Sequence, residues 1–246
     1  MHKLERLVSW FIVCPTLVAA LTSARATTID DNVYTSYSLV GTPHYVDWLT
    51  CGSDHSGKAC FGSGQIGPFG RVGCMIEGVP DYIGDSVTRA IYIVDVSTGT
   101  GGPGVTLFRY LKTDAIDPTT GNDSVSVVLT NTISLSAPLV GGANATCLMA
   151  GTGSFLFIGT DQTSTVLRVR KGPLTFITEI EGITGDKTQY ITADEYGFVS
   201  VGYTNLASGT DYYVMYSPNG TYYAGGSGEE VILTPSSGYS NPPISP

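Results

Sequence analysis

Nucleophilic hydrolysis needs a base, and histidine is scarce in this chain: His2, His44 and His55 are the three present. Asp54-His55-Ser56 holds the residue types of a hydrolytic triad. Triad members converge from separate elements, however, and no Gly-x-Ser-x-Gly elbow occurs to expose a serine nucleophile. The triplet therefore reads as part of a polar loop, with Asp54 and His55 kept as ligand-binding candidates. Glycosidase-type chemistry needs two carboxylates facing one cleft. Among the chain's 21 acidic residues, Asp95, Asp161, Asp194, Glu195 and Asp211 are the candidates. Asp194 stands between two strand-like runs, where an aspartate hydrogen-bonds the backbone of its own turn; it too is kept as a ligand-binding candidate. No D-x-D-x-D-G calcium loop is present, and residues 99–104 do not match a phosphate-cradling loop. No metal site and no cofactor is expected, and no residue is assigned a catalytic role.

Tyrosine is the unusual feature. Tyr212, Tyr213, Tyr216, Tyr222 and Tyr223 cluster around Ser217-Pro-Asn-Gly. In a strand, side chains alternate between faces, so Tyr212, Val214 and Tyr216 share one face while Tyr213 and Met215 share the other. One of these sets faces outward or lines a shallow pocket. Exposed aromatic faces beside Asn and Asp stack on sugar rings, which makes these five tyrosines candidate ligand-binding residues. The competing use of the same residues is cross-strand aromatic pairing.

The N-terminus has the order of an export signal. Lys3 and Arg6 precede an apolar run at residues 7–21, and Ala24-Arg-Ala supplies the small residues before a cleavage point ahead of Thr27. The run is shorter than the roughly 20 residues that span a bilayer, and Pro15 interrupts it. Residues 1–26 are thus expected to be a signal peptide, and the mature chain to be secreted or periplasmic. Later apolar runs are strand-length, so no further membrane span is expected.

Four cysteines remain after cleavage: Cys51, Cys60, Cys74 and Cys147. An even number in an exported chain favours two disulfides, with three possible pairings. Cys51 and Cys60 bracket a glycine-rich loop, which points to Cys51–Cys60 and, by elimination, Cys74–Cys147. Zinc sites pair their ligands at two- to four-residue spacing, and this spacing does not.

The leader holds Lys3, Arg6, Arg25 and Glu5 of the chain's 12 basic and 21 acidic residues, leaving 9 and 20, a formal charge of −11. That sign repels phosphate backbones, and the only basic cluster is Arg168, Arg170 and Lys171, so nucleic acid is excluded as a partner. The classes of partner that remain are a glycan or a protein. Asn122-Asp-Ser, Asn144-Ala-Thr and Asn219-Gly-Thr match the acceptor pattern for N-glycosylation.

The elements that must position these residues are strands. The mature part lacks long stretches of helix formers, while Gly, Thr, Val, Tyr and Ser are abundant. Residues 90–96 (Ala-Ile-Tyr-Ile-Val-Asp-Val) are apolar on both faces, which predicts burial on both sides. Further strands are expected at 72–76, 105–111 and 125–135. One or two more are expected within 27–48, with 49–70 a turn-rich, glycine-heavy segment.

Residues 153–159 (Gly-Ser-Phe-Leu-Phe-Ile-Gly) and 196–202 (Tyr-Gly-Phe-Val-Ser-Val-Gly) superpose at a period of 43. Each has a strand before it (147–150; 190–193) and two after it (166–169 and 176–180; 212–216 and 221–224). Four short strands recurring every 40–50 residues is the pattern of a β-propeller blade, and the strands at 72–135 form a third copy with longer loops. Residues 33–70 must then supply an irregular fourth.

Residues 191–202 (Ile-Thr-Ala-Asp-Glu-Tyr-Gly-Phe-Val-Ser-Val-Gly), continued by 213–220 (Tyr-Val-Met-Tyr-Ser-Pro-Asn-Gly), resemble the repeats of secreted NHL-type propellers. Those repeats run from a short strand through an Asp/Gly turn to an apolar strand, then to a strand ending Pro-Asn/Asp-Gly. The resemblance covers about 80 residues well and implies a propeller fold.

The sequence therefore leads to a signal peptide at 1–26, one all-β, propeller-like domain at 27–235, and a flexible Pro/Ser-rich tail at 236–246. A β-sandwich is the alternative fold. The expected role is a secreted binding module, with carbohydrate as one ligand class. The alternatives are an exported carboxylate-dependent hydrolase or lyase, and a cell-surface structural protein.

Overall fold

The computed structural model describes residues 34–51, 60–79, 81–83, 86–99, 102–116, 123–136, 139–172, 174–181, 186–218 and 222–227. The expected leader, the loop carrying Asp54 and His55, and the expected tail lie outside these residues. Every regular element described is a strand.

The first sheet is a three-stranded meander of β1 (Tyr34–Val40), β2 (His44–Cys51) and β3 (Cys60–Phe69). The second contains β4 (Val72–Glu77), β5 (Asp81–Ile83) and β6 (Ser86–Asp95). A two-stranded ribbon, β7 (Thr98–Gly99) and β8 (Gly102–Pro103), leads on to its last strands, β9 (Thr106–Ile116) and β10 (Asp123–Ser134). Its order is β10-β9-β6-β4, with β5 also pairing with β6. The third sheet is β11 (Cys147–Thr152), β12 (Phe155–Thr160), β13 (Thr165–Arg170) and β14 (Thr175–Glu181), in chain order. The fourth repeats that meander with β15 (Lys187–Ala193), β16 (Val199–Asn205), β17 (Thr210–Tyr216) and β18 (Tyr222–Ser227). The fold is all-β, four blade-like antiparallel sheets in propeller-like succession.

Period-two alternation builds the packing. In β6, Ile91 and Ile93 join Val46, Trp48, Ile66 and Phe69 of the first sheet. Tyr92 and Val94, pointing the other way, join Leu156, Ile158, Leu167 and Val169 of the third. Both faces of β6 are thus buried, as its uninterrupted apolar run predicts. On the far face of the third sheet, Ala150, Phe157 and Val166 meet Ile191, Val199, Val201 and Tyr203 of the fourth. Each fully buried aliphatic side chain here removes enough apolar surface to contribute about 1.5–3 kcal/mol.

Cys74 and Cys147 form a disulfide, Cα–Cα 5.5 Å, joining β4 of the second sheet to β11 of the third. Gly73 makes room for it, since a Cβ there would come within 2.6 Å of the Cys147 Cβ. Cys51 is also disulfide-bonded. The β2–β3 register sets it opposite Cys60, whose side chain is outside the described set.

Polar side chains pin the connections between sheets. The Asp95 carboxylate accepts backbone N–H bonds from Gly70, Arg71 and Ser97 at 2.8–2.9 Å. The Arg71 guanidinium donates to the carbonyls of Gly142 and Ala145 at 2.6 and 2.8 Å. One carboxylate and one guanidinium thus hold the segments leaving the first and second sheets.

The glycine-rich segment at 49–70 departs from the turn expected of it. Ten of its residues form β3. Its glycines are packing positions: a Cβ at Gly64 would lie 2.6 Å from the Trp48 ring, and one at Gly62 would lie 2.5 Å from Val125. Glycine inside a strand marks close approach by a neighbour as well as a turn, and composition does not separate the two.

Candidate functional site

The tyrosine cluster divides between two faces of the fourth sheet. Tyr212, Val214 and Tyr216 of β17 pack toward the third sheet. Tyr212 stacks on Tyr203, ring centroids 5.2 Å apart at 24°, and its hydroxyl donates to Asp186 Oδ2 at 2.6 Å. These two tyrosines serve the core. Tyr213 and Met215 lie on the outer face, where they cluster with Tyr190, Phe198 and Tyr223, all from this same sheet. Tyr222 belongs to β18, but its side chain is outside the described set.

Two glycines shape the outer face. Gly202 and Gly226 stand opposite each other's neighbours across β16, β17 and β18, in register with Tyr213. A Cβ at Gly202 would meet the Tyr190 ring at 2.0 Å, and one at Gly226 would meet the Tyr213 ring at 2.8 Å. Both rings therefore lie across the backbone of a neighbouring strand. Phe198 and Tyr223 meet edge to face at 5.0 Å and 72°, a favoured aromatic geometry. Ser200 and the Thr204–Asp211 pair lie on the same face by register, with the Thr204 hydroxyl donating to Asp211 Oδ1 at 2.5 Å. Tyr196, 67% exposed, stands in the turn that leads into this face.

Asp194 organises that turn. Its Oδ1 accepts the N–H of Tyr196 at 3.0 Å and of Phe198 at 2.9 Å, and its carbonyl accepts the Thr152 hydroxyl of the third sheet. Asp161 likewise accepts the N–H of Thr146 at 2.8 Å and the Gln162 amide at 2.6 Å; those hydrogen bonds depress its carboxyl against the opposing effect of burial. Asp54 and His55 lie outside the described residues. His44 uses Nδ1 to accept the Val72 N–H at 3.1 Å. Among the described residues, no group of three or more His, Cys, Asp or Glu side chains could hold a metal ion, and no helix is long and apolar enough to cross a membrane.

A second constellation sits between the first two sheets and escapes sequence reasoning. Lys112 of β9 is fully buried, and its Nζ donates to Asp114 Oδ2 at 2.5 Å. In register with Lys112 stands Arg89 of β6, 3.8 Å from Glu77 of β4, and Glu77 accepts the Tyr37 hydroxyl of β1 at 3.0 Å. Burial pushes the Lys112 ammonium below its ordinary range, with Asp114 opposing the shift. Burial, then the Glu77 charge, holds the Tyr37 phenol well above its own. Alternation along β9 from Phe108 and Tyr110 carries Lys112 and Asp114 onto the face that meets the first sheet. The available signal was two charges spaced by two within an apolar strand.

No family model matches the chain, and no curated protein matches it. Among solved structures, it is similar to prolyl oligopeptidase B from Galerina marginata, captured with a 35mer hydrolysis and macrocyclization substrate. The two share 10% identity over 78% of this chain and 33% of that one, with a TM-score of 0.29. The chain thus spans a third of that protein, and a likeness at this level carries no argument about what the chain does.

Proposed function

We propose that the chain is an exported binding module that takes a glycan on the outer face of its fourth sheet. The observation that carries this reading is the grouping of the half-buried rings Tyr190, Phe198 and Tyr223 on that face, laid over the buried Tyr213 and Met215. On the third sheet, the corresponding face (Phe155, Phe157 and Val166) is packed against the fourth sheet itself. Flat rings edged by hydroxyl and carboxylate groups match the alternation of C–H faces and hydroxyls on a sugar. Four of the five candidate acids a hydrolase would recruit are already engaged, and the fifth, Glu195, is exposed in the turn beside Tyr196. Asp95, Asp161 and Asp194 hold backbone N–H groups, and Asp211 holds a threonine hydroxyl.

A glycan-array screen of the mature protein tests the reading, followed by titration of any sugar found. Tyr223→Ala and Tyr196→Ala are expected to weaken binding at least tenfold while the far-ultraviolet dichroism is retained. Tyr212→Phe, on the inner face, is expected to leave affinity unchanged. A ligand whose affinity ignores Tyr223 and Tyr196 removes this face as the site.

A further inference from the structure

We propose that Lys112 and Asp114 condense to form an intramolecular isopeptide bond, with loss of one water. Four observations carry the proposal. The two groups are in direct contact, Nζ to Oδ2 at 2.5 Å. They are removed from solvent, Lys112 at 0% and Asp114 at 6% exposure. The contact is incomplete as an ion pair, since Asp114 Oδ1 is buried with no hydrogen-bond donor among the described residues. Three of the four cross-strand neighbours are apolar: Val87 and Val125 stand in register with Asp114, and Val127 stands opposite Arg89 in register with Lys112.

A buried ion pair repays its desolvation only when further hydrogen bonds satisfy the remaining lone pairs. Here one carboxylate oxygen lacks that support. Transfer of one proton from the Nζ ammonium to Oδ2, along the existing hydrogen bond, gives a neutral amine against a carboxylic acid. The Nζ lone pair then attacks Asp114 Cγ, forming the C–N bond. The C–Oδ2 bond breaks, and its oxygen leaves as water after taking a second proton from nitrogen. Atoms and charge balance with no oxidant and no co-reactant.

In water this condensation fails because both partners are ionised and the solvent drives hydrolysis. The interior opposes ionisation and excludes water. Intramolecular partners held in reactive orientation reach effective molarities on the order of 10⁵ M or more. The product is a neutral amide, which replaces two buried charges with one donor and one acceptor.

Intact mass of the full secreted chain, with disulfides reduced, is the decisive measurement and needs no variant to fold. The expected mass is one water below that of the unmodified chain, and trypsin is expected not to cut after Lys112 in denatured protein. Tandem fragmentation should place the linkage between residues 112 and 114. Lys112→Arg should restore the full mass. Asp114→Asn should reach the same final mass as the wild type, because the amide then forms with loss of ammonia. A wild-type mass equal to the unmodified chain, with ordinary cleavage after Lys112, overturns the proposal. A water loss that persists in Lys112→Arg, or that mild base reverses as it would a succinimide, does so equally.

Discussion

At the scale of single residues, burial controls what the ionisable groups can do. Tyr203 is fully enclosed between the third and fourth sheets. Burial, reinforced by Tyr216 and Tyr212, holds its phenol far above the ordinary value. A phenol whose folded pKa is raised contributes stability that is intact below its unfolded pKa, near 10, and is lost as pH rises beyond it. The loss is about 1.4 kcal/mol per pH unit for each such group. Urea unfolding followed between about pH 8 and pH 11 should therefore show a steep alkaline decline, and Tyr203→Phe should make that decline shallower by one proton. Identical slopes in the two proteins would refute the assignment. Asp95 and Asp194 are committed to backbone N–H groups, so their carboxylates serve the chain's connections.

At the scale of elements, glycine and aromatic residues are placed as pairs. Trp48 lies over Gly64, Tyr190 over Gly202, and Tyr213 over Gly226. In each case a ring on one strand uses the space left by a missing side chain on the next, which keeps the strands close and the ring flat. Replacing Gly202 by Ala should cost about 1–3 kcal/mol through overpacking against the Tyr190 ring. In a Tyr190→Ala background the same replacement should cost little, so a double-mutant cycle measured by urea midpoints reads the coupling directly. Additive effects would mean that the two positions do not oppose each other as described. The same pairing explains why β3 is not legible in the sequence: its glycines have the local signature of turns, whereas they accommodate Trp48 and Val125, residues that no local pattern places there.

At the scale of the whole molecule, the sheets follow one another in chain order and each uses both faces where it has two neighbours. The Cys74–Cys147 bridge crosses the interface between the second and third sheets and closes a segment with a sequence separation of 73. A loop of that size restricts the unfolded chain by about 4 kcal/mol in the chain-entropy treatment. Cys74→Ser with Cys147→Ser should lower the unfolding free energy by about that amount, with strand content preserved by dichroism. An unchanged urea midpoint would show that the bridge contributes nothing to stability.

Composition and periodicity alone determined that the chain is all-β, because alternation of apolar residues and the distribution of glycine act locally. The period of 43 likewise located the third and fourth sheets, and two-residue alternation correctly separated Tyr212 and Tyr216 from Tyr213. Tertiary structure decided which of those faces is covered and which glycines carry rings. It alone brought Tyr37, Glu77, Arg89, Lys112 and Asp114 together from four strands of two sheets. The physical reason is that burial and contact between sheets depend on registers set by distant strands, while strand propensity is set by each residue and its immediate neighbours.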